Sequence, residues 1–352
     1  MAPFAPPQVT AILTVRNEGA FLLDWLAHHR AAGIGHFVVF SNDCQDGTDA
    51  LLDRLAALGW VEHHRNDPPY DKGGIQFTAL KRAAKLTSVR QADWLLPLDV
   101  DEFVNVHTGD RTVQALISAL PQATAITLTW RLFGNAGIEH FVDAPVPEQF
   151  TRAAPEILFW PWRAAMFKTL YRNDRTYKLP GVHRPRQPDK ARIDAARWFD
   201  CEGRELGPEF RTKRLFSNFG QKLYGLAQLN HYPLGAMESY VLKSDRGRAV
   251  HAEDKLGLDY WVERNFCTVK DQSIAPLTAR AAPIRAELAA DPQLAPLHEQ
   301  AVQWRHDRFE ALMREEPNRA LMGRLLLTPP TRPLPPEAAR RLFAHARRGP
   351  GA

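Results

Sequence analysis

The chain has 352 residues, 45% of them apolar, which is enough for a sizeable core and excludes a disordered chain; the length suits one large domain with additions or two modest ones. Its formal net charge of +5 lies in one place: from Pro317 onward there are seven arginines and one acid, Glu337, so the rest is near neutral and no nucleic-acid partner is expected. The three cysteines, Cys44, Cys201 and Cys267, are too scattered for a zinc motif or a disulfide framework, which points to a reducing, cytoplasmic compartment.

Short apolar runs alternate with amphipathic stretches over roughly the first 130 residues. Residues 11–15 (AILTV) read as a buried strand, and Phe21, Leu22, Trp25, Leu26 and His29 then recur at helical spacing. A second strand is expected over 36–41, a helix over 49–58, a third strand over 60–64, a helix over 76–85, a fourth strand over 94–98 and another over 123–130. Strands alternating with helices imply an α/β fold with a mainly parallel, Rossmann-type sheet.

Residues 145–162 are crowded with prolines and aromatics and 184–214 with charges, so long loops and short strands are expected there. Helices follow over 236–245, 258–266, 276–289 and 297–314, with a kink or restart at Pro283. A proline-rich link, 328–336, leads to a short basic helix. The expected division is a catalytic domain over 1–250, a helical extension over 251–327 and a basic tail over 328–352. The tail reads first as a solvated terminus, and second as a contact for an anionic membrane surface or a phosphate-rich partner. No apolar run approaches the roughly 18 residues of a membrane span, and no secretory signal opens the chain.

In open α/β sheets ligands bind at the carboxyl ends of strands. Three such ends are polar here: Arg16, Asn17 and Glu18 after the first strand, residues 41–48 (SNDCQDGT) after the second, and Asp99, Asp101 and Glu102 after the fourth. For Asp46, Gly47 and Thr48 a turn and helix cap explain the residues as well as function does. Asp99 and Asp101, two apart in extended chain, are expected to point the same way, and a hard cation such as Mg²⁺ or Mn²⁺ relieves their repulsion. Other motifs fit poorly: Val104 stands where a calcium loop needs glycine, Val38 where a dinucleotide fingerprint does, and there is no phosphate-binding Gly-Lys-Ser/Thr loop.

These strand ends resemble the nucleotide-sugar domain of glycosyltransferase family 2, the GT-A fold, over about residues 8–135 and more loosely to about 250. The resemblance is carried by residues 11–18 (AILTVRNE), 38–48 (VVFSNDCQDGT) and 94–103 (WLLPLDVDEF), the last in the Asp-x-Asp-Glu-Phe form of one bacterial branch. His231-Tyr232-Pro233, with Lys243 and then Arg246-Gly247, is similar to that branch's downstream element. Ser41 departs from the family, which usually has an aspartate there, so the nucleotide is left open. The resemblance implies an enzyme moving a sugar from a nucleoside diphosphate sugar, a UDP-sugar first, to a glycan, lipid-linked or other hydroxyl acceptor, with inversion and with a carboxylate taking the acceptor proton.

By the same resemblance, the base lies near Arg16, Asn17, Glu18, Ser41 and Asn42, Asp99 faces the ribose and the metal, Asp101 binds the metal and His231 is a third ligand. Lys243 and Arg246 offset the charge of the leaving diphosphate. Glu139, Glu156, Asp200, Glu202 and His183 are the candidates for catalytic groups, each read more readily as a surface acid or loop histidine. Two alternatives stand beside this reading. One is a haloacid-dehalogenase-like phosphatase with Asp99 as nucleophile; the other is a non-catalytic module that binds sugar nucleotides or glycans.

Overall fold

The computed structural model describes residues 6–71, 73–246 and 256–346; Gly247 and the end of the basic tail lie outside the described residues. Six strands come from the first part of the chain: β1 (Val9–Val15), β2 (His36–Ser41), β3 (Glu62–Arg65), β4 (Trp94–Leu98), β5 (Glu102–Val106) and β6 (Ala125–Leu132). With the strands Phe167–Arg172, Trp198–Asp200 and Ala227–His231 they form one nine-stranded sheet.

Its order is β3, β2, β1, β4, Phe167–Arg172, β6, Ala227–His231, β5, with Trp198–Asp200 also pairing β6. β1 to β4 run parallel, and β6 runs parallel to Ala227–His231 and to Trp198–Asp200. Phe167–Arg172 is antiparallel to both neighbours, and β5 is antiparallel to Ala227–His231. The fold is therefore α/β with a mainly parallel sheet. The antiparallel members β5 and Phe167–Arg172 carry the polar side chains Glu102 and Lys168, which obscure their strand pattern in the sequence.

Both faces of the sheet are covered, as parallel strands require. Alternate residues of β1 and β2 divide between two cores. Ala11, Leu13, Phe37 and Val39 meet the helix α1 (Gly19–Ala31) on one side. Ile12, Val38 and Phe40 meet Ala79, Leu80 and Ala83 on the other. α1 is itself buried on nearly every face, because helices Ala275–Ala289 and Leu294–Leu312 pack over the side that the sheet leaves free. Gly19 makes this approach possible: a Cβ there would stand 2.8 Å from that of Ala301.

Several expected boundaries move for identifiable reasons. Trp60 belongs to a helix end rather than a strand: Gly59 at φ 76° lets the Trp60 N–H donate to the Leu55 carbonyl, 2.9 Å. The last helix of the expected set begins at Leu294, and a helix Glu316–Leu327 follows it that the sequence pattern did not separate. Ala275–Ala289 does not restart at Pro283; burial of Leu277, Ala281 and Leu288 against the core outweighs the one hydrogen bond that proline forfeits. Among the described residues, no helix is long and apolar enough to cross a membrane.

Candidate active site

The acidic segment after β4 is a tight turn, not an extended chain. The Glu102 N–H donates to the Asp99 carbonyl at 3.1 Å, and the Trp25 indole N–H reaches the carbonyls of both Asp99 and Glu102, at 3.2 and 3.0 Å. The turn sends the carboxylates of Asp99 and Asp101 to different partners, correcting the expectation that they converge. Asp99 accepts from the Gln76 amide at 2.8 Å and from the Lys168 ammonium at 2.7 Å. Asp101 accepts from Lys243 at 2.8 Å, while its other oxygen faces His231 Nε2 across 3.7 Å. Both Asp99 oxygens are thus oriented by donors of the protein.

Glu102 turns inward and is fully buried. It accepts from the Trp130 indole N–H at 2.6 Å and from the Asp99 N–H at 2.8 Å, with Lys168 3.5 Å away. Burial pushes its carboxyl up to about 8; Lys168 opposes this and the nearby Asp99 and Asp101 add to it. Burial would also raise Asp101, but Lys243 and His231 outweigh it and hold that carboxyl well below its usual range. Burial lowers His231, so its imidazole is neutral at physiological pH. That ring lies on Trp130 at 4.1 Å between centroids, and its Nδ1 is buried with no hydrogen-bond partner among the described residues.

Two adjoining cavities share a wall of Arg16, Glu18, Val100, Asp101, Lys243 and Arg246. The smaller, about 240 Å³, adds Asn42, Gln76, Asp99, Trp130 and His231. The larger, about 330 Å³, runs to Phe21, Phe141, Ser239, Trp304 and Arg305. The acids of these linings are all paired: Glu18 with Arg246, Asp99 with Lys168, Asp101 with Lys243, and Asp245 with Arg308. Lys243 also donates to the Pro233 carbonyl at 2.8 Å, and Arg246 to that of Arg16 at 2.6 Å, so helix Met237–Arg246 is tied to the strand ends.

The remaining sequence candidates separate clearly. Asn42 lines the smaller cavity and Asn17 the larger, where its φ of 55° turns the chain and its side-chain oxygen accepts from the Gln45 N–H at 2.7 Å. Ser41 is fully buried, bonded to His63 at 2.7 Å, and lines neither cavity, so it is not placed to contact a base. Asp46 and Thr48 are structural: Asp46 accepts from the amides of Gly19 and Thr48, joining two helix starts. Asp200 accepts from the Glu202 and Arg204 amides, and Glu202 from those of Tyr224 and Gly225. Glu139 and Glu156 are exposed. His183 stands beside Trp130, centroids 5.5 Å apart, and burial with Lys168 nearby lowers its ring to about 4. None of these five lines either cavity.

Four contributors escaped the sequence reading: Gln76, Lys168, Trp130 and Arg305. A lysine within the otherwise buried run of residues 167–171 was the one available signal, since a charge rarely sits fully buried unless paired.

A polar, cation-rich cleft at the carboxyl ends of parallel strands marks an α/β protein built to hold an anionic ligand. The chain belongs to glycosyltransferase family 92, whose model matches residues 12–193. It is therefore family 92 rather than family 2; short strand-end motifs are too brief to separate the two. The chain is 24% identical over 140 residues to a family 92 protein of Ricinus communis, covering 38% of this chain. It is 23% identical over 149 residues to another of Oryza sativa subsp. japonica, covering 40% of this chain. The match spans only 24% of the length of each relative.

Among solved structures, S. aureus TarS 1-349 in complex with UDP-GlcNAc is 14% identical, covering 87% of this chain and 83% of that one, with a TM-score of 0.33. Glucosyl-3-phosphoglycerate synthase from Mycobacterium tuberculosis, in complex with Mn²⁺, UDP and glucosyl-3-phosphoglycerate, is 17% identical, covering 36% and 44%, with a TM-score of 0.25. Scores that low do not establish a common fold, and the family rests on the sequence match.

Proposed function

We propose that the chain transfers a glycosyl group, with inversion, from a nucleoside diphosphate sugar to a hydroxyl of a glycan or lipid-linked acceptor, a UDP-sugar being the first donor to test. The observation that carries the reading is Asp101, set between His231 and Lys243 on the wall common to both cavities, in a chain of this family. On this reading the nucleoside lies in the smaller cavity near Asn42 and Gln76, and Asp99, oriented by Lys168 and Gln76, faces the ribose.

Among the described residues, no three His, Cys, Asp or Glu side chains gather as a metal cage. Asp101 and His231 nevertheless fit as two ligands of a more open site. One carboxylate oxygen faces the imidazole Nε2 at 3.7 Å, beyond hydrogen-bonding range, while the other stays with Lys243. Mg²⁺ and related ions are commonly held by one or two protein groups together with substrate phosphates. Bound there, a Mg²⁺ or Mn²⁺ ion supplies Lewis-acid stabilisation to the leaving diphosphate.

The chain's own cations act on the same charge. Lys243 is fixed by Asp101 and Pro233, and Arg246 by Glu18 and the Arg16 carbonyl, so both stand preorganised where negative charge develops. Asp101→Ala tests the reading. The variant is expected to fold while losing transfer and metal-dependent UDP affinity; calorimetry showing wild-type UDP and Mn²⁺ affinity in the folded variant would sink it.

A further inference from the structure

The larger cavity is lined by cations that are not all held in ion pairs among the described residues. Five cations reach its lining: Arg16, Lys243, Arg246, Arg305 and Arg308. Three of them are paired, to Asp101, Glu18 and Asp245. Among the described residues, no carboxylate forms an ion pair with Arg16 or Arg305.

Arg305 is the more telling of the two. It is 7% exposed, yet among the described residues its guanidinium makes one hydrogen bond, to the Ser239 hydroxyl at 2.9 Å, and its buried Nε has no partner. It is wedged between the rings of Phe21 and Phe141, 4.5 and 4.8 Å from their centroids. Stacking orients a guanidinium but leaves its in-plane donors unsatisfied, and the carboxylates of Glu18, Asp46 and Glu238 act on its charge only from beyond ion-pair distance. The Arg16 Nε is likewise buried without a partner among the described residues. Arg305 in the larger cavity, with Arg16 on the wall that the two cavities share, offers guanidinium donors to an oxyanion, which arginine binds through paired N–H groups.

Position separates this anion from the donor. Arg305, Ser239, Phe21 and Phe141 line only the larger cavity, whereas Asn42, Gln76 and Asp99 line only the smaller. A donor seated at the smaller cavity leaves the larger one open on the other side of Asp101. We propose that the larger cavity is the acceptor subsite and that Arg305 there grips a phosphoryl group carried by the acceptor. The assignment to the acceptor rests on the donor site proposed above; the anion site itself does not. The group transfer is unchanged by it: the acceptor hydroxyl oxygen forms the new bond to the anomeric carbon, the nucleoside diphosphate leaves with the electron pair of the bond it breaks, and the hydroxyl proton passes to water or to the departing diphosphate.

The test is calorimetry with methyl phosphate on the full chain, alone and with saturating UDP and Mg²⁺. The wild type is expected to bind methyl phosphate with an affinity that UDP changes less than twofold. Arg305→Met is expected to weaken methyl phosphate at least tenfold, and Arg305→Lys, which keeps the charge but not the fork, by about threefold to tenfold. In both variants UDP affinity stays within twofold of wild type. If the methionine variant fails to fold, the lysine variant decides. Absence of methyl phosphate binding in the wild type overturns the proposal, as does affinity indifferent to Arg305→Lys. Complete displacement by UDP also overturns it, by assigning the anion to the donor's diphosphate. Methyl phosphate binding through Arg305 in a protein that does not bind UDP supports the anion site and refutes the donor site instead.

Discussion

Replacing Lys168 by methionine removes the ammonium that pairs with Asp99 while keeping most of its volume. The ammonium lies 2.7 Å from Asp99 and 3.5 Å from Glu102, on a side chain 1% exposed. Stranding an ionised Glu102 would cost about 3–5 kcal/mol, the usual result of removing one partner of a buried pair. Glu102 escapes that fate: burial already places it at about 8 with the ammonium present, so without it the carboxyl holds a proton at pH 7. What remains is the charge-assisted bond to Asp99, about 1.5–3 kcal/mol, reduced because Asp99 is one-third exposed and water replaces the donor.

The expected loss for Lys168→Met is therefore about 2 kcal/mol at pH 7, measured by urea denaturation. The pH dependence follows in sign. An acid whose folded pKa is raised binds its proton more tightly folded than unfolded, so stability falls as pH rises from the unfolded value to the folded one. In the wild type that fall ends near 8; in the variant it continues to higher pH, so the gap between the two widens above pH 8. UDP affinity is expected to fall several-fold, because Asp99 loses the contact that orients it. A loss of about 4 kcal/mol or more at pH 7 would mean that a charge is stranded after all. A gap that narrows above pH 8 would refute the protonation argument.

Two further substitutions probe the scaffold around the site. Burial raises Asp24 to about 6, and its acceptor role toward the Val146 N–H, 3.0 Å, can pass to an amide oxygen. The wild type thus loses stability as pH rises between the unfolded value and about 6, so Asp24→Asn is expected to stabilise by about 2–3 kcal/mol at pH 7.5 and little at pH 4; equal effects at the two pH values count against the reasoning. Trp25→Phe removes the indole donor shared by Asp99 and Glu102 carbonyls, 3.2 and 3.0 Å, and is expected to cost about 1–2 kcal/mol by thermal or urea melting and to raise the donor KM. Unchanged stability and KM would show that the Glu102 N–H bond holds the turn without it.

Much of the parallel half of the sheet was legible in the sequence. The runs at 11–15, 36–41 and 94–98 are apolar on both faces, and only strands covered on both sides need that composition. Their polar ends pointed to Asp101, Arg16 and Asn42, and the structure brings these to one pair of cavities. The antiparallel strands were not legible. Phe167–Arg172 and β5 interrupt their apolar pattern with Lys168 and Glu102, residues whose place in the core makes sense only once they are paired with each other and Asp99.

The sequence by itself determined that acidic residues would stand at the end of an apolar strand, because strand-end chemistry is local. Only tertiary structure decided which way each carboxylate faces. A turn bonded between Asp99 and Glu102, and anchored by Trp25 from α1, sends Asp99 to Lys168 and Asp101 to Lys243. Those partners lie 69 and 142 residues away in the chain, so no local pattern could encode the pairing. The acidic segment reads as a converging pair when taken alone, and folds as two separately neutralised carboxylates, because burial makes each charge depend on a counter-ion supplied from a distant element.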